Sequence, residues 1–112
     1  MTEISDAYMR EHMTRSREYA VVLLKAADGY GKEGSNAIVW EHARRNFALR
    51  ADGLLSVVLP VMDDSELCGV GIFNGSVEDV RALMDEDPGV RAGVFTYEVH
   101  PARGFPGDGL PE

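Results

Sequence analysis

Residues 40–53 read WEHARRNFALRADG and predict an amphipathic helix closed by a glycine. Apolar side chains recur at intervals of three and four residues and would pack this helix on a sheet; they are Trp40, Ala43, Phe47, Ala51 and, just beyond the helix, Leu54. Gly53 provides the left-handed residue with which many helices end. Ser35 or Asn36 is expected to cap the first turn. This packing would aim His42, which lies early in the segment, at a pocket.

Two strands are predicted on either side of that helix. Residues 18–26, EYAVVLLKA, form a short, nearly continuous apolar run, which is typical of a strand buried on both faces. Residues 54–61, LLSVVLPV, predict the next strand. Pro60 cannot donate a hydrogen bond to a neighbouring strand, so this strand is expected to lie at an edge or to end there. The glycine-rich residues 28–35 lack nucleotide-loop spacing and are read as a flexible connection.

The second half of the chain repeats the alternation of strands and helices. Residues 67–74 predict a third strand, and the alternating residues 91–100 predict a fourth. Between them, Ser76 opens a helix with the sequence SVED, which resembles a capping box. Pro88 disfavours helical geometry at Asp87, so the helix is expected to stop near residue 85 or 86 and Asp87 to be extended.

The predicted order of elements, strand-helix-strand-strand-helix-strand, is that of an α+β ferredoxin-like βαββαβ fold. Right-handed crossovers place both helices on one face of a four-stranded antiparallel sheet. Because the first strand is apolar on both sides, we expect a second copy to cover the open face, giving a homodimeric α/β barrel. Residues 1–112 would form a single domain, with a helical N-terminal extension (1–16), a ferredoxin-like core (17–100) and an irregular tail (101–112).

Composition restricts the classes of partner. The net charge of -8, from 19 acidic and 11 basic residues, disfavours nucleic acid and anionic membranes as partners. No apolar run approaches the roughly 18 residues of a membrane span. Cys68 is the single cysteine, which excludes an internal disulfide and favours the reducing cytoplasm. Its apolar strand context indicates a buried, inert thiol.

The predicted topology also brings two polar residues together. The fourth strand lies antiparallel beside the first, so its start is next to the first strand's end. His42 follows the first strand and Asp87 precedes the fourth, so both are expected at the same end of the domain. A carboxylate beside an imidazole fixes its tautomer, which is the usual support for a histidine acting as general base or acid. The alternative is an exposed helix histidine and an aspartate that only ends a helix.

The chain resembles the YciI-like (YCII-related) family of the dimeric α/β-barrel group over roughly residues 17–103. The matching positions are His42, Leu49, Gly53, Leu55, Pro60, Gly69, residues 71–73, residues 76–78 and residues 87–94, DPGVRAGV. The resemblance implies a ferredoxin-like dimer with an active site centred on His42 and Asp87. Most members have no assigned reaction, and one related activity is the dehydrochlorination of a chlorinated hydroxyhydroquinone. Leu59 departs from the pattern, since the family usually has glycine there.

Two functions are compatible with these residues. In the first, a cofactor-independent enzyme of the lyase or isomerase type, similar to a dehydrochlorinase, uses His42 to move a proton on a small cyclic or aromatic substrate while Asp87 orients it. Further substrate-binding candidates are the aromatic walls Trp40, Phe95 and Phe105, and two residues for an anionic group, Arg50 and Arg91. In the second, the same fold binds a small molecule or regulates without catalysis.

A metal or haem site is disfavoured. The three histidines, His12, His42 and His100, lack the close spacing of metal ligands. The same spacing argues against haem handling, although His42 could in principle serve as an axial ligand. We therefore expect no cofactor and no metal.

Overall fold

The computed structural model describes residues 1–112 and contains four helices and four strands. In chain order these are α1 (Asp6–Thr14), β1 (Arg17–Ala26), α2 (Ser35–Ala51), β2 (Leu55–Pro60), β3 (Leu67–Phe73), α3 (Val77–Asp85), α4 (Pro88–Arg91) and β4 (Phe95–Gly104). The strands form one antiparallel sheet in the order β2-β3-β1-β4. The predicted α+β ferredoxin-like architecture is confirmed, and β2 and β4 are its edges.

The two faces of the central strand β1 differ in burial. Ala20, Val22 and Leu24 face the helices and belong to a core of eleven buried hydrophobic residues. Val21 and Leu23 point to the opposite face, where they lie beside Ile72 and Val70 of β3 and are only half-buried. No helix of this chain covers that apolar strip.

Helix α2 packs on the sheet through a face other than the predicted one. Its buried residues are Ser35, His42 and Leu49, whereas Trp40 and Phe47 remain 66% and 65% exposed. With 3.6 residues per turn, the predicted stripe lies roughly 150° around the helix from His42. The prediction was wrong because hydrophobicity alone ranks Trp40 above His42, while a distant hydrogen-bond partner makes burial of His42 favourable.

The start of α2 also differs from the prediction. Gly34, in the left-handed region at φ 81°, precedes the helix, and no side chain caps it. Neither Ser35 nor Asn36 takes that role; Ser35 is buried as the first residue of the helix itself. The helix therefore begins earlier than its apolar pattern, and His42 lies near its middle. At the other end Gly53 adopts φ 79°, as expected.

The region after Asp87 contains an element that the sequence pattern did not reveal. Residues 88–91 form the short helix α4, so Arg91 does not begin the predicted strand of residues 91–100, and β4 begins at Phe95. This strand runs on to Gly104, so the predicted irregular tail is wrong for residues 101–104. Pro101 is tolerated because β4 is an edge strand, where a missing N–H leaves no neighbour unpaired.

The N-terminal helix α1 stands apart from the rest of the chain. Ser5 caps it by accepting a hydrogen bond from the backbone N–H of Tyr8, and none of its residues is buried. It therefore does not pack on the body of its own chain. Pro60 ends the edge strand β2, as predicted. None of the helices combines the length and the apolar character needed to cross a membrane.

Candidate functional site

His42 and Asp87 meet at the end of the sheet where β1 ends and β4 begins. The imidazole Nδ1 lies 2.8 Å from Oδ1 and 2.9 Å from Oδ2 of Asp87. The two residues are 8% and 1% exposed. The predicted proximity is confirmed, and it takes the form of a direct, buried hydrogen bond.

Local backbone geometry fixes the carboxylate of Asp87. Pro88 follows it, and Asp87 adopts the extended values φ −64° and ψ 133° as the N-cap of α4. Its Oδ2 accepts hydrogen bonds from the backbone N–H groups of Gly89 at 2.9 Å and Val90 at 3.2 Å. The side chain thus caps its own helix while it binds the histidine.

The surroundings of Asp87 keep it ionised. Burial by itself would raise the pKa of Asp87, but the hydrogen bond and charge of His42, with the N–H groups of Val90 and Gly89, hold that pKa below its usual value of 3.8. The guanidinium of Arg45 adds positive charge, with Nη1 3.7 Å from Oδ1. That Nη1 is buried and has no hydrogen-bond partner.

The carboxylate determines which nitrogen of His42 is reactive. An ionised carboxylate only accepts hydrogen bonds, so Nδ1 carries the proton that bridges the pair. In the neutral imidazole Nε2 then holds a lone pair, and the amide Nδ2 of Asn46 donates to it at 3.2 Å. Nε2 is consequently the atom able to take a proton from another molecule.

A backbone hydrogen bond joins the loop before α2 to the segment between α4 and β4. Gly29, after β1, donates from its N–H to the carbonyl of Gly93, before β4, at 2.9 Å. A Cβ on Gly29 would lie 2.8 Å from that oxygen, so only glycine allows this approach. The loop of residues 28–35 is therefore tied to the segment that carries Asp87.

Aromatic rings hold the imidazole from the side. The ring of Phe95 lies 4.8 Å from that of His42 between centroids, with an interplanar angle of 51°. The ring of Tyr30 lies 5.9 Å from that of Phe95 between centroids. This tilted packing restricts rotation of His42 and keeps Nε2 directed away from Asp87.

A cavity of about 760 Å³ lies beside His42, between α2 and the sheet. Sixteen of its 25 lining residues are hydrophobic. Its polar lining side chains are few: Tyr30, His42, Asn46, Arg50, Ser56, Cys68 and Asp108. Gly69 and Gly71 of β3 are also in the lining, and the side chains of Phe73 and Leu55 lie close to Gly71. A mostly apolar cavity with a few convergent polar groups is the usual form of a small-molecule site.

The predicted substrate-binding residues separate into two groups. Arg50 and Phe95 line the cavity together with His42. Trp40, Arg91 and Phe105 are exposed and lie outside that lining. Trp40 does not line the cavity because it lies on the outward face of α2. Arg91 does not line it because it lies in α4 instead of a strand.

Sequence reasoning missed Arg45 and Asn46, which approach the pair from the same helix as His42. Their signal was present in the spacing, because residues three and four positions after a helical histidine lie on its side of the helix. Both are polar and follow His42 at these intervals. The incorrect choice of packing face concealed this relationship.

Cys68 is half-buried in the cavity wall, so the prediction of a buried thiol is corrected. Burial raises the pKa of the thiol, although hydrogen bonding with the Tyr30 side chain acts in the opposite direction. Cys68 is therefore protonated near neutral pH, and a thiol is a much weaker nucleophile than a thiolate.

The other two histidines lie elsewhere. His12 stacks on Tyr8 within α1, and His100 lies 3.7 Å from Glu98 on the open face of the sheet. No group of three or more His, Cys, Asp or Glu side chains has the geometry to hold a metal ion.

Comparisons with known proteins give one similar structure to describe. It is a 5-chloro-2-hydroxyhydroquinone dehydrochlorinase from Burkholderia phenoliruptrix AC1100, in complex with 2,5-dihydroxybenzoquinone. The alignment covers 72% of this chain and 90% of that one, with 17% identity and a TM-score of 0.48. No family description and no curated protein sequence matches the chain.

Proposed function

We propose that this protein is a cofactor-independent enzyme that moves a proton on a small cyclic or aromatic substrate. The observation that carries the proposal is the buried His42–Asp87 hydrogen bond, which leaves Nε2 of His42 as a base at an apolar cavity. Phe95 would form part of the cavity wall that contacts the substrate. The reaction class is that of a lyase or isomerase, in which removal of a proton from carbon is the difficult step.

In the proposed reaction, Nε2 removes a proton from a carbon next to a carbonyl group. The C–H electron pair moves into the new carbon–carbon double bond, and the carbonyl oxygen becomes an enolate. Asp87 stabilises the imidazolium that forms, as an ionised carboxylate bonded to Nδ1 does in other His–Asp pairs. General base catalysis of this kind contributes about 10²- to 10⁴-fold to rate.

Asn46 is the residue that would respond to the proton transfer. Nε2 has one lone pair, so Asn46 Nδ2 must release its hydrogen bond before Nε2 takes a proton from the substrate. That amide lies 3.2 Å from Nε2, so it is available to donate to the neighbouring enolate oxygen. The base and the donor for the developing charge would thus come from adjacent turns of α2.

The sequence and the open sheet face also support a family, an oligomeric state and a location for this protein. We assign the chain to the YciI-like family on the residues that resemble it. The half-buried apolar strip of Val21, Leu23, Val70 and Ile72 supports a homodimer formed sheet against sheet. The single cysteine favours a cytoplasmic location.

Deuterium exchange into an enolisable ketone tests the proposal without knowledge of the natural substrate. 2-Tetralone is a flat bicyclic ketone, and its uptake of deuterium from D₂O is followed by mass spectrometry. The parent should accelerate exchange, and His42→Gln should lower the rate about 100-fold. His12→Gln, which changes an exposed histidine on α1, is the matched control and should retain the parent rate.

The outcome that contradicts the proposal is equally specific. If exchange with the folded parent is no faster than with His42→Gln, His42 is not a base for this class of compound. Circular dichroism and thermal unfolding establish that each variant is folded.

The second candidate function is a small-molecule binding or regulatory module. It is favoured by the hydrogen bond from Asn46 to Nε2, because a satisfied histidine can recognise a ligand without moving a proton. This alternative predicts that 2-tetralone shifts the unfolding temperature of the parent by mass action, while the exchange rate equals that of the buffer.

A further inference from the structure

Arg50 is the one basic side chain of the chain's eleven Lys and Arg residues that lines the cavity. It makes no salt bridge and no side-chain hydrogen bond, whereas its helix neighbours Arg44 and Arg45 lie beside Glu41 and Asp87. A chain of net charge -8 offers many carboxylates as partners. An unpaired guanidinium at a mostly apolar cavity is therefore available to a ligand.

Three polar residues of α2 follow one another along the cavity. His42, Asn46 and Arg50 are spaced four residues apart, so with a rise of 1.5 Å per residue each step is about 6 Å along the helix axis. His42 is buried at the inner end, and Arg50 is exposed at the outer end. The cavity thus has a base at one end, an amide in the middle and a fixed positive charge at its mouth.

Apolar surface fills the space between those groups. Ala43 and Phe47 of α2 line the cavity, as does Val58 of β2, which pairs with Gly71 of β3. A compound that satisfies this arrangement has a flat apolar body and an anionic group at one end. Guanidinium binds carboxylates through paired, charge-assisted hydrogen bonds, which suits a carboxylate better than any neutral polar group.

We propose that the substrate is an enolisable ring compound with a carboxylate, which Arg50 binds at the cavity mouth while the ring reaches His42. This assignment rests on the function proposed above and adds the chemical class of the substrate. Asp108, the one acidic residue in the lining, lies on the exposed tail and would oppose an anion there. Removal of the Arg50 charge and removal of the Asp108 charge should therefore change carboxylate binding in opposite directions.

Binding of two non-reactive probes tests the class of ligand apart from any chemistry. 4-Phenylbutyrate and 4-phenylbutanamide have the same apolar body and differ in charge. By isothermal titration calorimetry at pH 7.5, the parent should bind the carboxylate about tenfold more tightly than the amide. Arg50→Gln should remove this preference, and Asp108→Asn should increase it. Arg44→Gln, on the outer side of α2, removes the same charge and should keep the preference.

Each outcome decides the assignment. Equal binding of the two probes by the parent, no binding of either at millimolar concentration, or an equal loss in Arg44→Gln and Arg50→Gln would overturn it. The His42→Gln variant separates this result from the proposed chemistry, because it should retain the preference for the carboxylate. If the parent does not accelerate 2-tetralone exchange but still prefers the carboxylate probe, the proton transfer alone is refuted.

Discussion

The ring of Phe95 packs so closely on Gly89 that a Cβ at Gly89 would lie 2.5 Å from Phe95 Cδ2. The same Cβ would lie 3.1 Å from Oδ2 of Asp87. Gly89 thus supports both the aromatic wall and the carboxylate, since its own N–H donates to Oδ2.

Gly89→Ala should destabilise the protein and disturb the pair. Overpacking of this kind costs about 1 to 3 kcal/mol, and we expect a loss in that range by urea unfolding. Gly109→Ala is the control, because nothing lies within 4 Å of a Cβ there. Equal stability of the two variants would show that Phe95 can move away without cost.

Asp87→Asn should lower stability in a manner that depends on pH. At pH 7 the loss is about 1 to 3 kcal/mol, because a buried, charge-assisted acceptor is removed. The folded-state pKa of Asp87 lies below its unfolded value, so its stabilisation is present above about pH 4 and is lost as pH falls through the folded-state pKa.

The difference in free energy of unfolding between the parent and Asp87→Asn should therefore shrink below about pH 4. Urea unfolding at a series of pH values measures it. Asp52→Asn, which removes an exposed carboxylate at the end of α2 and outside the pair, is the control variant. A constant difference down to pH 2 would mean that Asp87 is not held ionised by its neighbours.

Asn46→Leu should slow 2-tetralone exchange while the apparent KM changes little. Leucine is close to asparagine in size but cannot donate a hydrogen bond to the enolate oxygen, on which negative charge develops. Loss of one such donor costs about 10²- to 10³-fold in kcat. Asn46→Gln keeps an amide and should recover part of the rate. An effect confined to KM would assign Asn46 to substrate binding alone.

Leu49→Ala and Trp40→Ala test which face of α2 packs on the sheet. Leu49 is 7% exposed, and its truncation should cost about 2 to 5 kcal/mol. Trp40 is 66% exposed, so its removal should change the free energy of unfolding by about 0.5 kcal/mol or less in the isolated chain. A large loss in Trp40→Ala measured at protein concentrations that favour association would instead indicate a covered surface.

The topology and the His42–Asp87 contact were predictable because both depend on the order of elements. Strand patterns and Pro88 set that order, and the antiparallel pairing of β1 with β4 brings the end of β1 beside the start of β4. The packing face of α2 was not predictable from hydrophobicity, since Trp40 and Phe47 outrank Ser35 and His42 on any apolar scale. Only the bond to a residue 45 positions away reverses that ranking.

The extension of β4 to Gly104 also depends on contacts between residues far apart in the sequence. Residues 101–104 have no strand pattern of their own, and they are extended because they pair with residues 17–20 of β1. Arg45 was missed because its importance depends on Asp87, which lies 3.7 Å away only in the folded chain. Long-range pairing, which local propensity does not encode, accounts for these differences.

The reactive pair and the cavity walls come from separate parts of the molecule. Backbone N–H groups of Gly89 and Val90 and the Gly29–Gly93 bond hold Asp87 and its loop, whereas exchangeable side chains of the edge strand β2 form the facing wall. The His42–Asp87 pair can therefore stay constant while substitutions at positions such as Val58 change the shape of the cavity. An engineer could therefore vary which ligands the cavity accepts without altering the backbone that holds Asp87.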